Sequence, residues 1–112
     1  MEKNQYNESL EKIGYWEIFY PNGKLHSKGN FINDSKDGYW EGYFTNGNLS
    51  SKGCYRYGLQ NGYWEDYASD GQINFRGCFV EGYLDGYWEY QVINNVATHE
   101  CFYLERINSE LS

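Results

Sequence analysis

The sequence predicts an all-β fold, an elongated and twisted antiparallel sheet built of about four stacked hairpins of 24 residues each. Three observations support it: a repeat of fixed period, turn dipeptides inside every unit, and a composition rich in aromatic residues and glycine. The units begin GYWEIFYPNG, GYWEGYFTNG, GYWEDYASDG and GYWEYQVINN. Their first residues are Gly14, Gly38, Gly62 and Gly86, so successive units start 24 residues apart.

The repeats divide the chain into one repeat domain and two short ends. The domain is expected to span residues 14–103, in units 14–37, 38–61, 62–85 and 86–103. Residues 1–13 and 104–112 are expected to cap its ends, because a single hairpin cannot bury its own apolar face. Either cap could be a short helix.

The composition excludes several classes of protein. Aromatic residues make up 21% of the chain, which has 13 glycines and one proline, and this is typical of β structure and not of disorder. The net charge of −7 argues against binding to nucleic acid and to anionic membranes. The start, MEKNQYNESLEKI, lacks the apolar core of a signal peptide, so we expect a cytoplasmic protein.

Each unit has a turn dipeptide near its centre, and a second set lies between units. Asparagine, aspartate and glycine tolerate positive φ, which predicts two-residue type I′ turns at the centres. Pro21 has no N–H, so the first hairpin has a three-residue loop with a bulge as its alternative. The central dipeptides are Asn22-Gly23, Asn46-Gly47, Asp70-Gly71 and Asn94-Asn95. Asp37-Gly38, Asn61-Gly62 and Asp85-Gly86 are expected to join one hairpin to the next.

The central turns also predict which residues face each other across a hairpin. Opposite charges meet in three hairpins, and a tryptophan faces a glycine in the same three. The charged pairs are Glu17–Lys28, Glu41–Lys52 and Glu65–Arg76. The tryptophan pairs are Trp16–Gly29, Trp40–Gly53 and Trp64–Gly77.

Alternation along each strand separates a core face from a wet face. The core face holds the four tryptophans, three aliphatic residues and five further aromatic residues: Trp16, Trp40, Trp64, Trp88, Leu25, Leu49, Ile73, Phe31, Tyr55, Phe79, Tyr20 and Phe44. The wet face holds the charged pairs between two aromatic rows: Tyr15, Tyr39, Tyr63 and Tyr87 in one, and Phe19, Tyr43 and Tyr67 in the other.

The three cysteines do not suggest a disulfide framework. Cys54 and Cys78 hold the same place in successive units, two strands and therefore about 10 Å apart, beyond the reach of a disulfide. With Cys101 they are expected to be free thiols, buried or half-buried. His26 and His99 lie in different units and no Cys-x-x-Cys is present, so we expect no metal site and no cofactor.

The recurring pattern G-Y-W-E-x-[FY]-x-x-[ND]-G-x-[LI]-x-x-[KR]-G-x-[FY] resembles the MORN repeat, and more closely the bacterial variant found in YwqK-type antitoxin proteins. The resemblance covers residues 14–103. It implies a twisted sheet of successive hairpins. Eukaryotic MORN proteins are described as lipid-binding or as scaffolds, and the bacterial variants are inferred to be antitoxins or immunity proteins.

No catalytic constellation is visible, and an ordered array of like residues serves stacking more readily than catalysis. We therefore expect a binding protein and not an enzyme, with a protein partner such as a basic toxin. The expected binding residues are Tyr15, Tyr39, Tyr63, Tyr87, Tyr43, Tyr67, Glu41 and Glu65.

Several alternatives remain open. The tyrosines could merely cover the sheet, or the partner could dock on an open edge strand. A cell-wall carbohydrate-binding or lipid-binding repeat module is the alternative function. The oligomeric state is either a monomer or an edge-to-edge dimer.

Overall fold

The computed structural model describes residues 2–93 and 96–102, and the side chains of residues 2–90. This part of the chain forms one antiparallel sheet in which the strands follow chain order, which confirms the all-β prediction. The strands are β1 Gln5–Tyr6, β2 Lys12–Phe19, β3 Leu25–Ile32, β4 Ser35–Tyr43, β5 Leu49–Arg56, β6 Leu59–Tyr67, β7 Ile73–Val80, β8 Tyr83–Ile93 and β9 Val96–Phe102. Within the described residues, no helix has the length and apolar character needed to cross a membrane.

The central turns differ from the predicted two-residue type. In the first hairpin the N–H of Gly23 donates to Tyr20 O over 2.9 Å, and the N–H of Tyr20 donates to Lys24 O over 2.8 Å. Only the glycine has positive φ, 86°. This is a three-residue loop with a glycine bulge, and Pro21 fits its first position because that position donates no hydrogen bond.

The second and third hairpins use the same three-residue loop, although they contain no proline. Phe44 pairs with Asn48, and Ala68 pairs with Gln72, through the same two hydrogen bonds. The predicted type I′ turns at these centres were therefore wrong. The fourth centre, Asn94-Asn95, lies outside the described residues.

The predicted cross-strand register is nevertheless correct, because a second irregularity cancels the longer loop. Phe19 pairs with Leu25, but Ile18 pairs with Ser27, so His26 is an extra residue in β3. The same shift occurs in the next two hairpins. As a result Trp16 lies opposite Gly29 as predicted, and the pairs Trp40–Gly53 and Trp64–Gly77 follow the same rule.

The turns between hairpins lie four residues before the predicted ones. Their central residues both have positive φ, so these are the type I′ turns of the fold: Asn33-Asp34, Tyr57-Gly58 and Glu81-Gly82. Asp37-Gly38, Asn61-Gly62 and Asp85-Gly86 lie inside β4, β6 and β8 instead. There they mark a bulge: Asn30 pairs with Asp37 but Lys28 pairs with Glu41, which leaves two extra residues in β4.

Trp40, Trp64 and Trp88 pack on a glycine of the preceding hairpin. A Cβ atom built on Gly29 would lie 2.3 Å from Cδ2 of Trp40, and one on Gly53 would lie 2.2 Å from Cδ2 of Trp64. The indole N–H of Trp40 also donates to Asn30 O over 2.9 Å, at the place where the bulge interrupts the strand ladder. Each of these three tryptophans therefore joins two hairpins.

The predicted core face is confirmed by its tryptophans, which are 2–8% exposed. Aromatic rings meet edge to face along it, with ring centroids 4.9 Å apart for Phe31 and Trp40 and 5.0 Å apart for Tyr55 and Trp64. Lys36 lies over Trp40 at 4.8 Å. The predicted core residues Tyr20, Phe44, Tyr55 and Phe79 are only half-buried, because a single sheet covers them from one side. The prediction was wrong for Leu25, Leu49 and Ile73, which pair with the wet-face residues Phe19, Tyr43 and Tyr67, because the bulge beside each of them breaks the alternation of the strand.

The N-terminal segment completes the sheet as a partial strand. Tyr6 packs edge to face on Trp16 at 5.1 Å, as Phe31 does on Trp40. Lys3 contacts Glu17 over 2.5 Å. Residues 2–13 thus contain β1 and the start of β2 and no helix. Residues 104–112 lie outside the described residues, so their role as a cap stays a prediction.

Candidate functional site

The most distinctive surface is the wet face of the sheet, on which tyrosine side chains recur in every hairpin. Tyr39, Tyr63 and Tyr87 are 50%, 52% and 53% exposed. Tyr15, at the start of the same row, is less exposed than these three and is half-buried. Asn4 lies beside it and donates its backbone N–H to Tyr15 O over 2.9 Å. The exposed part of the row, which we call the tyrosine row, consists of Tyr39, Tyr63 and Tyr87.

On β4 and β6 a glutamate holds the hydroxyls of the tyrosines two residues before it and two residues after it. Tyr39 donates to Glu41 Oε2 over 2.8 Å, and Tyr43 donates to Glu41 Oε1 over 2.6 Å. Tyr63 and Tyr67 bind the two oxygens of Glu65 over 2.8 and 2.5 Å. The alternating strand brings residues i, i+2 and i+4 to one face, so each triad forms within one strand. The tyrosine rings are thus oriented before any partner arrives.

The basic residues connect these glutamates to the preceding hairpin, contrary to the predicted pairs within hairpins. Lys28 lies 3.4 Å from Glu41, and Lys52 lies 3.3 Å from Glu65. Arg76 binds Glu89 over 2.7 Å. The predicted partners do face each other in register, as Glu17 and Lys28 show. Each cation lies between two glutamates, and its ion pair is with the glutamate of the following hairpin.

The triads shift the pKa of their members in opposite directions. Burial and the hydrogen bond to Glu41 raise the pKa of Tyr39 to about 12, and the same causes raise the pKa of Tyr43 to about 12. Burial and the bond to Glu65 raise the pKa of Tyr63 to about 12. The hydrogen bond from Tyr43 lowers the pKa of Glu41 below its usual value, despite partial burial. At neutral pH the tyrosines are therefore neutral and Glu41 is charged.

Two exposed thiols lie beside the tyrosine row. They were predicted to be buried or half-buried. Cys54 lies opposite Tyr39 and Cys78 lies opposite Tyr63, so each shares the wet face with its tyrosine. Both are unpaired and exposed. The burial prediction was wrong because, among the described residues, no second layer covers this face of the sheet. The side chain of Cys101 lies outside those described.

Acidic residues also lie next to the tyrosine row, at its end nearer the turns between hairpins. They were not predicted to lie on the wet face. Asp37 pairs with Asn30, and Asn30 pairs with Tyr15, so these three side chains share the wet face. Asp85 pairs with Cys78, so it too lies on the wet face, two residues before Tyr87. The sequence predicted turns at these residues because each of them precedes a glycine. In the structure they lie in bulged strands instead, beside the tyrosines.

Two other surfaces hold apolar side chains, and apart from Phe79 and Trp88 the repeat pattern did not predict them. Tyr57, Leu59 and Tyr83 are 80%, 49% and 57% exposed at the turns between hairpins. On the core face an open groove of about 410 Å³ lies near β8, lined by Phe75, Phe79, Leu84, Trp88 and Tyr90. Neither surface repeats in every hairpin, so neither leaves a periodic signal.

Within the part of the chain that the structure describes, no three histidine, cysteine or carboxylate side chains are grouped so that they could hold a metal ion. The wet-face carboxylates are held by tyrosine hydroxyls and by cations. Such an arrangement orients rings and balances charge, which suits binding.

Two hairpins of this chain match the MORN repeat variant. The matched segments, residues 12–33 and 36–57, correspond to β2–β3 and β4–β5 with their turns. MORN repeats generally mediate interactions with proteins or with membrane lipids and are not typically enzymes. No curated protein matches the chain. The hairpin β6–β7 lies outside the matched segments but has the same turn, the same bulge and the same Tyr–Glu–Tyr triad.

Proposed function

We propose that this chain is a protein-binding module that captures a basic protein through the tyrosine row. The observation that carries the proposal is the set of half-exposed rings whose hydroxyls are tied to glutamates. Tyrosine offers a large contact area at a small entropy cost, and a ring that is already oriented lowers that cost further.

The charge of the chain supports a basic partner. The net charge of −7 attracts cations and speeds their encounter with the surface. Lys28, Lys52 and Arg76 are engaged with glutamates, so they offer little to an anionic ligand. The same charge balance disfavours anionic lipid, which needs a cluster of lysine and arginine.

We further propose that the partner is a toxin and that binding neutralises it. The support is the resemblance of the GYWE pattern to repeats of YwqK-type antitoxins. A nucleic-acid-degrading toxin has the basic surface that the acidic module would attract. The unpaired thiols Cys54 and Cys78 fit the reducing cytoplasm, where such a toxin would act on its producer.

The test is co-expression with a candidate basic toxin encoded beside this gene. The wild-type chain should restore growth, and the variant Tyr39→Ala/Tyr63→Ala should not, although circular dichroism shows that it is folded. Tyr57→Ala is the matched control, because Tyr57 is an exposed tyrosine in the turn between β5 and β6 and does not belong to the row. Full rescue by the double variant would exclude the tyrosine row. Binding only to lipid vesicles or glycans would exclude the antitoxin function.

A further inference from the structure

The tyrosine row has a spacing that restricts what can bind along it. Tyr39, Tyr63 and Tyr87 lie on β4, β6 and β8, so neighbouring rings are two strands apart. Strands lie about 4.8 Å apart, which places equivalent positions about 9.6 Å apart across the sheet. A chain that crosses the strands would meet one ring at each such step.

The floor between the rings is made of small side chains. Cys54 on β5 lies opposite Tyr39, and Cys78 on β7 lies opposite Tyr63. In strand order, exposed rings therefore alternate with exposed thiols: Tyr39, Cys54, Tyr63, Cys78 and Tyr87. On β8 the register partner of Cys78 is Asp85, two residues before Tyr87. The row is thus a series of aromatic ridges with shallow troughs between them.

A polyproline II helix matches this spacing. It has three residues per turn and rises about 3.1 Å per residue, so every third side chain points the same way after about 9.3 Å. The mismatch with the strand spacing is about 0.3 Å per step and about 0.6 Å over the three rings. A β-strand ligand matches less well, since its side chains repeat every second residue, about 6.8 Å.

Carboxylates beside the rings favour a cation as the anchoring residue, with Asp37 and Glu41 beside Tyr39, Glu65 beside Tyr63, and Asp85 beside Tyr87. Tyr39 lies between Asp37 and Glu41 along the wet face of β4. A lysine or arginine over a tyrosine face is attracted by the ring and by nearby carboxylates. The hydroxyl bond to Glu41 leaves the faces of the ring for contact, because it uses only the edge.

We propose that the tyrosine row binds a polyproline II segment of the partner that carries an arginine or lysine at every third position. This inference rests on the proposed function and names the part of the partner that the row recognises. It assigns one anchoring cation to each of Tyr39, Tyr63 and Tyr87.

The experiment compares two fluorescent peptides of equal length, charge and composition. One consists of four Pro-Pro-Arg repeats, and the other has its four arginines at alternate positions followed by a proline tail. Fluorescence anisotropy at low salt should show about tenfold tighter binding of the first peptide, because only its cations reach successive rings. Equal affinities would show attraction by charge alone and overturn the proposal, as would failure of the first peptide to bind.

Thiol alkylation supplies a test that needs no tyrosine variant. A saturating amount of the Pro-Pro-Arg peptide should slow the alkylation of Cys54 and Cys78 several-fold, because the bound chain crosses both troughs. Unchanged alkylation rates with bound peptide would place the peptide elsewhere and overturn the proposal.

Variants then locate the peptide. Tyr39→Ala/Tyr63→Ala should weaken its binding about tenfold or more, and Tyr57→Ala should leave it unchanged. If the double variant loses a folded basic partner while the wild type ignores the peptide, the polyproline inference fails and the proposed function stands. If the double variant keeps both ligands, both fail.

Discussion

At the scale of single residues, Trp40, Trp64 and Trp88 each have three roles. Trp40 fills the core face, covers Gly29 of the preceding hairpin and donates its indole N–H to Asn30 O. An indole can combine these roles because it is broad, flat and has one donor at its edge.

Replacement of Trp40 by alanine should destabilise the protein by about 3–5 kcal/mol, as truncation of a large buried aromatic does. Trp40 is 2% exposed, so truncation of its side chain removes packing contacts that water cannot provide in the core. Urea unfolding followed by circular dichroism would measure the change. Tyr57→Ala, at an 80% exposed tyrosine, should change stability by less than about 0.5 kcal/mol. A loss below about 1 kcal/mol in the Trp40 variant would contradict its role in the core.

The tyrosine–glutamate triads predict that the folded protein loses stability at alkaline pH. The pKa of Tyr39, Tyr43 and Tyr63 is raised from 10.0 to about 12 in the folded state. The folded state therefore keeps protons that the unfolded state loses above pH 10. The stability from this difference is fully present below about pH 10 and is lost as the pH rises towards about 12.

Ultraviolet absorbance of ionised tyrosine should resolve this late-titrating group, and urea midpoints should fall over the same pH range. In Glu41→Gln the late group should become smaller, because Tyr39 and Tyr43 lose a charged acceptor while burial still raises their pKa. A folded protein whose tyrosines all titrate near pH 10 would refute the triads.

At the scale of the hairpin, the contacts that define the fold cross from one hairpin to the next. Indole rings, indole N–H groups and cations all reach between consecutive units. The turn loops do so too, since Asn48 Nδ2 donates to Ser69 O of the following loop over 2.9 Å. Stability therefore depends on stacking of neighbours, as in other repeat proteins.

Gly53→Ala should show how closely hairpins stack. The added methyl would lie 2.2 Å from Cδ2 of Trp64, a ring atom that cannot move without disturbing the core. We expect a loss of about 1–3 kcal/mol in urea unfolding. Cys54→Ala is a matched control, because the neighbouring side chain is exposed and should matter by less than about 0.5 kcal/mol. If both variants were equally stable, Trp64 could not lie on Gly53.

The ion pairs between consecutive hairpins can be tested by double-mutant cycles. Lys52→Met and Glu65→Gln should show a coupling free energy of about 0.2–1 kcal/mol, typical of an exposed pair. Lys52→Met and Glu41→Gln should show a smaller coupling, although Glu41 and Lys52 are register partners within one hairpin. Stronger coupling within the hairpin would reverse the assignment. High salt should reduce the larger coupling, because both groups are partly exposed.

At the scale of the whole molecule, one sheet presents two different faces. Aromatic rings bury each other on the core face, and tyrosines with charged pairs lie on the other. A single layer cannot bury both faces, so side chains that would be interior in a two-layer protein are exposed here. The thiols of Cys54 and Cys78 are the clearest example.

Thiol titration should distinguish this single layer from a covered sheet. Cys54 and Cys78 should react rapidly with a water-soluble disulfide reagent in the native protein, because they are unpaired and exposed. The denatured, unreduced protein should release three thiols, since Cys101 is also expected to be free. Slow native reaction of Cys54 would show that another layer covers the wet face, and one thiol in the denatured protein would reveal a disulfide.

The sequence by itself determined the repeat length, the hairpins, the cross-strand register and the face on which each tryptophan lies. These follow from local signals: a fixed period, turn residues, alternation and matched charges within a few residues of one another. The register was correct although the turn type was wrong, because the bulge at His26 offsets the longer loop at Pro21.

Only the tertiary structure decided which neighbouring hairpin each side chain contacts. Glu17 and Glu41 are both register partners of Lys28, and sequence separation alone cannot choose between them. The bulge at Gly38 settles the packing, because it shifts β4 against β3 and brings Trp40 over Gly29. The same bulge moves Asp37 from a predicted turn to the edge of the tyrosine row. Contacts between neighbouring strands depend on backbone irregularities, and a glycine signals the place of an irregularity but not its kind.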